Sequence, residues 1–208
     1  KRTPFITIEL QKVYRQTDQD FLELLNAVRD NRADDNTLQR LNTRYRPDFK
    51  ASGSTYVRLV THNHQADHIN AHEMKQLTTS EHQFRAVVEG TFPESSYPAA
   101  EVLTLKRGAQ VMFIKNDSSA EHRYFNGLLG EITEKYVVVR PQDSSEEISV
   151  GVETWQNSRF TLDEKTNEIE EVVEGTFQQI PLRLAWAITV HKSQGLTFEH
   201  AIIDVQSA

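Results

Sequence analysis

The residues best suited to chemistry lie together in one polar turn that reads HKSQGLT. Lys192 supplies a positive charge, Ser193 and Thr197 supply hydroxyls, and Gln194 supplies an amide. Gly195 lets a backbone N–H come close to a ligand, because glycine has no side chain in the way. The turn therefore suits an anionic partner such as a phosphate group.

Two apolar runs flank this turn. LAWAITV precedes it and HAIIDV follows it, and both have the length and the β-branched content of buried strands. In an α/β sheet, a loop at the carboxyl end of a strand lies at the edge of the crevice where such folds bind ligands. Thr189 would add a hydroxyl at that edge. A short polar turn with one glycine is also a common plain connection, and composition alone favours that interpretation.

The string AxTxHKSQGxT resembles the fifth motif of the PIF-family DNA helicases, a branch of helicase superfamily one. Related superfamily-one helicases carry a looser version of it. The resemblance implies contacts with single-stranded DNA from four residues, Thr189, His191, Lys192 and Ser193. It also implies that Gln194 and Gly195 sense the γ-phosphate of ATP, with Thr197 nearby.

Arg15 lies just ahead of a predicted helix in the segment LxxVYRQxDxxFLxLLNxVR. From the residues alone it is a surface arginine of the kind that forms a salt bridge. The segment is similar to the fourth motif of the same helicases, whose arginine reaches across the domain cleft to the γ-phosphate of ATP. The resemblance implies that Arg15 is a catalytic arginine finger, a group that contributes about 10³ to 10⁵ in turnover.

A third segment, THNHQADHINAHEMKQL, follows a predicted strand over 56–60 and predicts a helix. The Thr61 hydroxyl and the Asn63 amide suit a helix cap. The pattern TxNxxAxxIN is similar to a family loop that holds single-stranded DNA by its phosphates, which implies DNA contacts from Thr61 and Asn63. The two roles are compatible.

Histidines recur along the same predicted helix at His64, His68 and His72, with His62 beside them. Histidines four apart share a helix face and suit zinc. No carboxylate or cysteine is placed to complete the ligand set, and the family uses no metal here. We therefore predict no metal site in this segment.

The amino-acid composition limits which kinds of site and partner this chain can have. The 208 residues contain no cysteine, which excludes disulfides and thiolate metal sites, and the formal net charge is -7. That balance argues against binding nucleic acid by bulk electrostatics, so contacts with a strand must be local. No run approaches the roughly 18 apolar residues of a membrane span, and no signal pattern is present. We expect a cytoplasmic protein in a bacterium, or a nuclear or mitochondrial protein in a eukaryote, with no membrane partner.

The fold class predicted is α/β. The resemblance implies a RecA-like second helicase domain of the P-loop NTPase type, over 1–101 and 180–208. Between these parts, alternating strands and turn residues over 102–179 predict an inserted small antiparallel β-barrel. We expect most of the barrel aromatics to be core, since a small barrel needs large side chains inside. These aromatics are Tyr124, Phe125, Tyr136, Trp155 and Phe160.

The chain lacks a GxxxxGK[ST] loop and a recognisable acidic magnesium site. It also begins at Lys1 without an initiator methionine, so we expect a piece of a longer ATP-dependent DNA helicase that is inactive alone. The resemblance implies ATP and Mg²⁺ as cofactors, with Mg²⁺ held by an upstream RecA-like domain, and five-prime to three-prime movement on single-stranded DNA. The alternatives are a non-enzymatic nucleic-acid-binding or protein-docking module, or the helicase subunit of a recombination nuclease.

Overall fold

A computed structural model describes residues 6–8, 16–49, 56–134, 137–142, 144–162 and 168–204. The chain divides into two compact units, Lys1–Ala51 and Ser52–Ala208. In the described part of the chain, no helix is both long and apolar enough to cross a membrane.

The described part of the first unit contains two helices, α1 (Gln19–Arg29) and α2 (Asp35–Asn42). An aspartate caps each of them. The Asp18 carboxylate accepts a hydrogen bond from the Phe21 N–H at 3.1 Å, and the Asp34 carboxylate accepts one from the Thr37 N–H at 2.8 Å. Each cap satisfies an N–H that has no partner within the helix. Both helices therefore begin directly after a capping aspartate.

The second unit is built mainly of short strands. In chain order its elements are β1 (Val57–Val60), α3 (Asn63–Gln76), β2 (Glu81–Arg85), β3 (Val87–Gly90), a 3₁₀ helix (Glu94–Ser96), β4 (Val102–Lys106), β5 (Gln110–Phe113), β6 (Leu129–Glu134), β7 (Val138–Pro141), β8 (Ile148–Ser149), β9 (Glu153–Leu162), β10 (Ile169–Gln179), β11 (Leu182–Leu184), β12 (Ala187–Thr189), α4 (Val190–Ser193) and β13 (Ala201–Ile203).

A three-stranded parallel sheet joins distant parts of this unit. β1 lies at its centre, between β12 and β13, and Val60 of β1 is paired in register with Thr189 of β12. Val60, Ala66 of α3 and Ala187 form one buried cluster that holds the helix on the sheet. Since β1 and β12 end side by side, the residues that follow both strands meet at one edge. The predicted α/β class is confirmed.

Between α3 and β12 the described residues form three antiparallel sheets. Their strand orders are β2-β4, β3-β10-β9 and β11-β5-β6-β7-β8. The antiparallel pairing agrees with the alternating pattern of the sequence. β2 and β3 precede residue 102, and β11 follows residue 179, yet each pairs with a strand that lies between those positions. The closure of these sheets into a barrel and the boundaries at 102 and 179 stay predictions.

The aromatic residues of this region divide between core and surface. Tyr124 is buried and stacks on Phe113 with 4.3 Å between ring centroids, and Trp155 packs edge-on against Phe177. Phe125 and Phe160 are instead 59% and 69% exposed, and Tyr136 lies outside the described residues. The expectation that most of these rings are core is therefore wrong for Phe125 and Phe160. The buried side of the sheets is filled mainly by aliphatic side chains.

The apolar run LAWAITV forms two strands with different partners, where the sequence predicts one. β11 pairs with β5, and β12 pairs with β1. Ala185 and Trp186 lie at the change of sheet: the Ala185 N–H donates to the Gln110 carbonyl oxygen at 3.0 Å, and the Trp186 carbonyl accepts from the Arg58 N–H at 2.8 Å. The Gln110 side chain adds hydrogen bonds to the Tyr56 and Ala185 carbonyl oxygens at 3.0 and 2.9 Å. This residue thus joins the five-stranded sheet to the parallel one.

Candidate functional site

The polar turn begins as one turn of helix at the edge of the parallel sheet. α4 follows β12 directly, and the Ser193 hydroxyl donates to the Val190 carbonyl oxygen at 2.7 Å. Gly195 has a φ of 79°, in the left-handed region that glycine adopts without steric cost. The Leu196 N–H then donates to the Ser193 carbonyl oxygen at 3.0 Å. Glycine is therefore needed here for the course of the backbone, in addition to any approach of a ligand.

The segment after β1 meets this turn at the same edge. The Thr61 hydroxyl lies 2.8 Å from His62 Nδ1 and 3.2 Å from Gln65 Oε1, and the His62 N–H donates to the same Gln65 oxygen at 3.2 Å. His62 occupies the N-cap position, one residue before Asn63. The Thr61 hydroxyl thus takes part in the cap, whereas Asn63 lies exposed in the first turn of α3.

A groove of about 490 Å³ lies beside α3 and the end of β12. We call it the α3 groove; its polar lining includes Asn63, Asp67, Asn70, Arg183, Thr189 and Lys192. The opposite wall is formed by residues 97–100 and by β4. Three of the predicted DNA-binding residues, Asn63, Thr189 and Lys192, are therefore brought to one surface from distant parts of the chain. Thr189 is only 4% exposed, so little of its side chain is accessible there.

The remaining predicted DNA contacts are not part of the groove lining. Thr61 is half-buried at the end of β1, His191 is exposed on α4, and Ser193 is half-buried with its hydroxyl bonded inside the turn. All three lie at the sheet edge that carries the groove. Their contact with a strand stays a prediction.

Positive charge gathers in the α3 groove. Lys192 is exposed as a residue, but part of its side chain is desolvated, which lowers the pKa of the ammonium group. The Arg183 guanidinium lowers that pKa further, and the Asp67 carboxylate raises it in part. Burial also lowers the pKa of Arg183. Two partly desolvated cations on one groove favour an anionic ligand between or above them.

Asn70 is a site residue that the sequence analysis missed. It is buried on α3, where its Nδ2 donates to the Ala187 carbonyl oxygen and its Oδ1 accepts from the Ala187 N–H, both at 2.9 Å. This pair fixes α3, and with it Asn63, against the strand that leads into the polar turn. The available signal was the asparagine that closes TxNxxAxxIN, because it falls on the buried face of the helix.

The far end of the polar turn packs against the antiparallel region. Leu196 is half-buried beside Gly127, and a Cβ at Gly127 would lie 2.7 Å from Leu196 Cδ2. Gly127 has a φ of 99°, in the left-handed region that asparagine–glycine pairs adopt readily in tight turns. The turn that carries the predicted nucleotide contacts thus packs against a glycine in the connection between β5 and β6.

Three of the four residues predicted to contact nucleotide lie on the polar turn. Gln194, Gly195 and Thr197 are exposed, so an amide, a backbone segment and a hydroxyl are all accessible on the turn. Arg15 lies outside the described residues, and its approach to this turn stays a prediction. Among the residues that the structure describes, no group of three or more histidine or carboxylate side chains is arranged to hold a metal.

A second cavity, of about 590 Å³, lies between β2, β4 and β6. It is lined by Lys106 and His82 among others, and by none of the predicted site residues. The Lys106 ammonium donates to the Met74 and Leu77 carbonyl oxygens at 3.1 and 3.2 Å, which closes the carboxyl end of α3. We assign this cavity no ligand, because its main cation already has protein partners.

The parallel sheet with a groove at its strand ends defines an α/β domain, and its likeness to solved helicases identifies it as RecA-like. The structure superposes on the crystal structure of a Bacteroides sp. Pif1 in complex with ADP-AlF4 with a TM-score of 0.81 and 37% sequence identity, covering 92% of this chain and 44% of that one. It also matches Bacteroides Pif1 bound to single-stranded DNA, with a TM-score of 0.64 and 37% identity over 94% of this chain and 45% of that one.

Sequence comparison agrees with the structural likeness. The chain is 31% identical over 203 residues to the human ATP-dependent DNA helicase PIF1, covering 96% of this chain and 31% of the human protein. No protein-family model matches the chain. The chain belongs by sequence and by fold to the PIF family, and it spans about a third of the length of the human relative.

Proposed function

We propose that this chain is the second RecA-like motor domain of an ATP-dependent DNA helicase. Its role would be to couple ATP hydrolysis to movement along single-stranded DNA and to duplex unwinding. The α3 groove carries the proposal, since Asn63, Thr189 and Lys192 come from distant segments to one cationic surface. The relatives are named as ATP-dependent DNA helicases, and one solved relative is bound to single-stranded DNA.

The strand would lie along the sheet edge that carries the groove. Lys192 neutralises a phosphate there, and Asn63, exposed at the start of α3, donates an amide N–H to the strand. The proposed contact set is Thr61, Asn63, Thr189, His191, Lys192 and Ser193. With a net charge of -7, binding by this chain is local and weak, with dissociation constants of about 10⁻⁴ to 10⁻⁶ M that rise steeply with salt.

The nucleotide side would use Arg15, Gln194, Gly195 and Thr197. The exposed Gln194 amide and the exposed backbone at Gly195 fit a phosphate group, and Thr197 adds a hydroxyl. Arg15 would neutralise charge that develops on the transferring phosphoryl group. The ATP phosphates and Mg²⁺ would be held mainly by an upstream RecA-like domain, because the chain has no P-loop of its own. Mg²⁺ supplies charge neutralisation when it is bound.

ATP and DNA binding would be coupled because the residues proposed to contact the two ligands are neighbours in the chain. On the polar turn, the DNA contacts end at Ser193 and the nucleotide contacts begin at Gln194, so one turn contacts both ligands. A nucleotide that shifts this turn changes the affinity for DNA, and DNA changes the affinity for nucleotide by the same factor. We place the helicase in the cytoplasm of a bacterium or in the nucleus or mitochondrion of a eukaryote, and assign it five-prime to three-prime movement.

The proposal is tested by ATP hydrolysis of the complete gene product that contains this chain, with and without single-stranded DNA. We expect hydrolysis that the strand stimulates, and we expect Arg15→Ala to reduce turnover at least 10³-fold with little change in nucleotide affinity. Arg44→Ala, an exposed arginine of the same unit, is the control and should retain activity. No hydrolysis by the complete product would favour a non-enzymatic nucleic-acid-binding module instead.

A further inference from the structure

Arg183 is the second cation of the α3 groove and lies outside both DNA-contact motifs. It is on β11, in register with Met112 of β5, and its side chain is half-buried in the groove wall. One Nη2–H donates to the Pro98 carbonyl oxygen at 3.2 Å, while the buried Nε has no hydrogen-bond partner among the described residues. A buried guanidinium with an unused donor is costly unless a ligand completes its hydrogen bonds.

The charges around Arg183 favour an anion as that ligand. None of the ion pairs found among the described residues includes Arg183. Asp67 is the one carboxylate among the groove-lining residues, which also include two cations, Arg183 and Lys192. The local balance is therefore positive, although the chain as a whole is negative.

We propose that Arg183 binds a phosphodiester group of the single strand and extends its path from the polar turn across the α3 groove towards Pro98. This inference rests on the proposed function. Arginine suits the position better than lysine, because its planar guanidinium is weakly hydrated and offers several donors in a fixed geometry to phosphate oxygens. The strand would cross from Lys192 to Arg183, adding one phosphate contact beyond those that the family resemblance implies.

A purely structural role makes a different prediction. In that case Arg183 serves only to hold the loop over 97–100 through the Pro98 carbonyl. Its replacement would lower thermal stability and leave the salt dependence of DNA binding unchanged. A phosphate contact instead changes the number of counterions that binding releases, which the slope of log affinity against log salt reports.

The test measures binding of a fluorescein-labelled oligothymidylate to the 208-residue chain by anisotropy over a series of salt concentrations. Arg183→Gln should reduce the magnitude of the salt slope by about 0.7, the value for one phosphate contact on a single strand, and weaken binding several-fold at low salt. Arg183→Lys should keep the slope, because it keeps the charge. Arg140→Gln, an exposed arginine on β7 that pairs with Glu147, is the control and should leave both quantities unchanged.

Lys192→Gln separates the two proposals. If wild type shows no salt-dependent binding, or if Lys192→Gln leaves the slope unchanged, the proposed DNA site fails. If Lys192→Gln lowers the slope and Arg183→Gln does not, only the Arg183 contact is overturned. Should Arg183→Gln fail to fold, phenylglyoxal modification of wild type decides the matter: the strand should protect Arg183 and not Arg140, and equal modification with and without the strand refutes the contact.

Discussion

Asn70 and Ala187 exchange two hydrogen bonds of 2.9 Å, one in each direction, across the buried contact between α3 and β12. The Asn70 side-chain amide pairs with the backbone of Ala187 in the way that two backbone amides pair in a β-sheet. It fixes the helix that begins at Asn63 relative to the strand that ends at Thr189. The geometry of the α3 groove therefore depends on a residue that contacts no predicted ligand.

Asn70→Ala should destabilise the fold markedly. It leaves the N–H and the carbonyl of Ala187 buried without their partners, and each unsatisfied group costs about 1 to 3 kcal/mol. We expect the free energy of unfolding in urea to fall by about 2 kcal/mol or more. His72→Ala, at an exposed position of the same helix, should change it by less than about 0.5 kcal/mol. Equal effects of the two substitutions would show that the Asn70–Ala187 pair is not the connection that holds the helix.

Binding of the DNA strand should weaken at a lower pH than a lysine with an ordinary pKa would give. Burial and the Arg183 guanidinium lower the pKa of Lys192 from its usual 10.5, and the group is charged only below its pKa. Affinity for the oligothymidylate should therefore fall as pH rises through the lowered pKa. Lys192→Arg keeps its charge and should show a flatter profile between about pH 8 and about pH 10. Identical profiles for the two proteins would contradict a charge contact from Lys192.

Asp117 should make the antiparallel region sensitive to acid. Burial raises the pKa of its carboxyl, but hydrogen bonds from the Ser119 and Arg123 N–H groups and from the Arg123 guanidinium outweigh this and lower the pKa well below 3.8. A lowered folded-state pKa contributes stability above the unfolded-state pKa, and that stability is lost as pH falls through the folded-state value.

Asp117→Asn removes the titrating group and should flatten the decline in unfolding free energy below about pH 4. Asp48→Asn, an exposed aspartate of the other unit, is the matched control and should leave the acid limb of the curve as in wild type. Denaturant unfolding at a series of pH values measures both. An Asp117→Asn curve parallel to wild type would contradict the assignment.

Gly127→Ala should disturb the polar turn from outside it. The backbone φ of 99° is unfavourable for alanine, and the new Cβ would lie 2.7 Å from Leu196 Cδ2. We expect a loss of about 1 to 3 kcal/mol in unfolding free energy. Gly151→Ala is the control, because a Cβ there meets nothing within 4 Å. A Gly127→Ala protein as stable as Gly151→Ala would show that the turn adapts without cost.

The sequence identifies local features well because their causes are local. The helix predicted just after Arg15 is α1, and the apolar run of β12 followed by polar residues predicts a strand with a ligand turn at its end. The family resemblance also selects Asn63, Thr189 and Lys192, which the structure brings to one groove. For the helix and the strand, the pattern and the resulting structure lie within a few residues of each other, whereas the grouping of Asn63, Thr189 and Lys192 follows only from the resemblance.

Features that depend on contacts between residues far apart in the sequence cannot be predicted in the same way. LAWAITV is divided into two strands because its first residues pair with β5 and its later residues pair with β1. Both partner strands are distant from LAWAITV in the sequence. The groove position of Arg183 depends on a hydrogen bond to Pro98, 85 residues earlier. Phe125 and Phe160 are of a residue type that usually lies in the core, but both are exposed. The buried side of the described sheets is filled mainly by aliphatic side chains.

The central claim is that one turn contacts the DNA strand and senses the nucleotide. It is tested most directly by the affinity of the complete gene product for single-stranded DNA, measured with and without ADP and aluminium fluoride. We expect the nucleotide to change that affinity by about 5-fold or more in wild type, and expect Gln194→Ala to abolish the change while retaining DNA binding. An affinity that is the same with and without nucleotide in wild type, or a change that Gln194→Ala leaves intact, would contradict it.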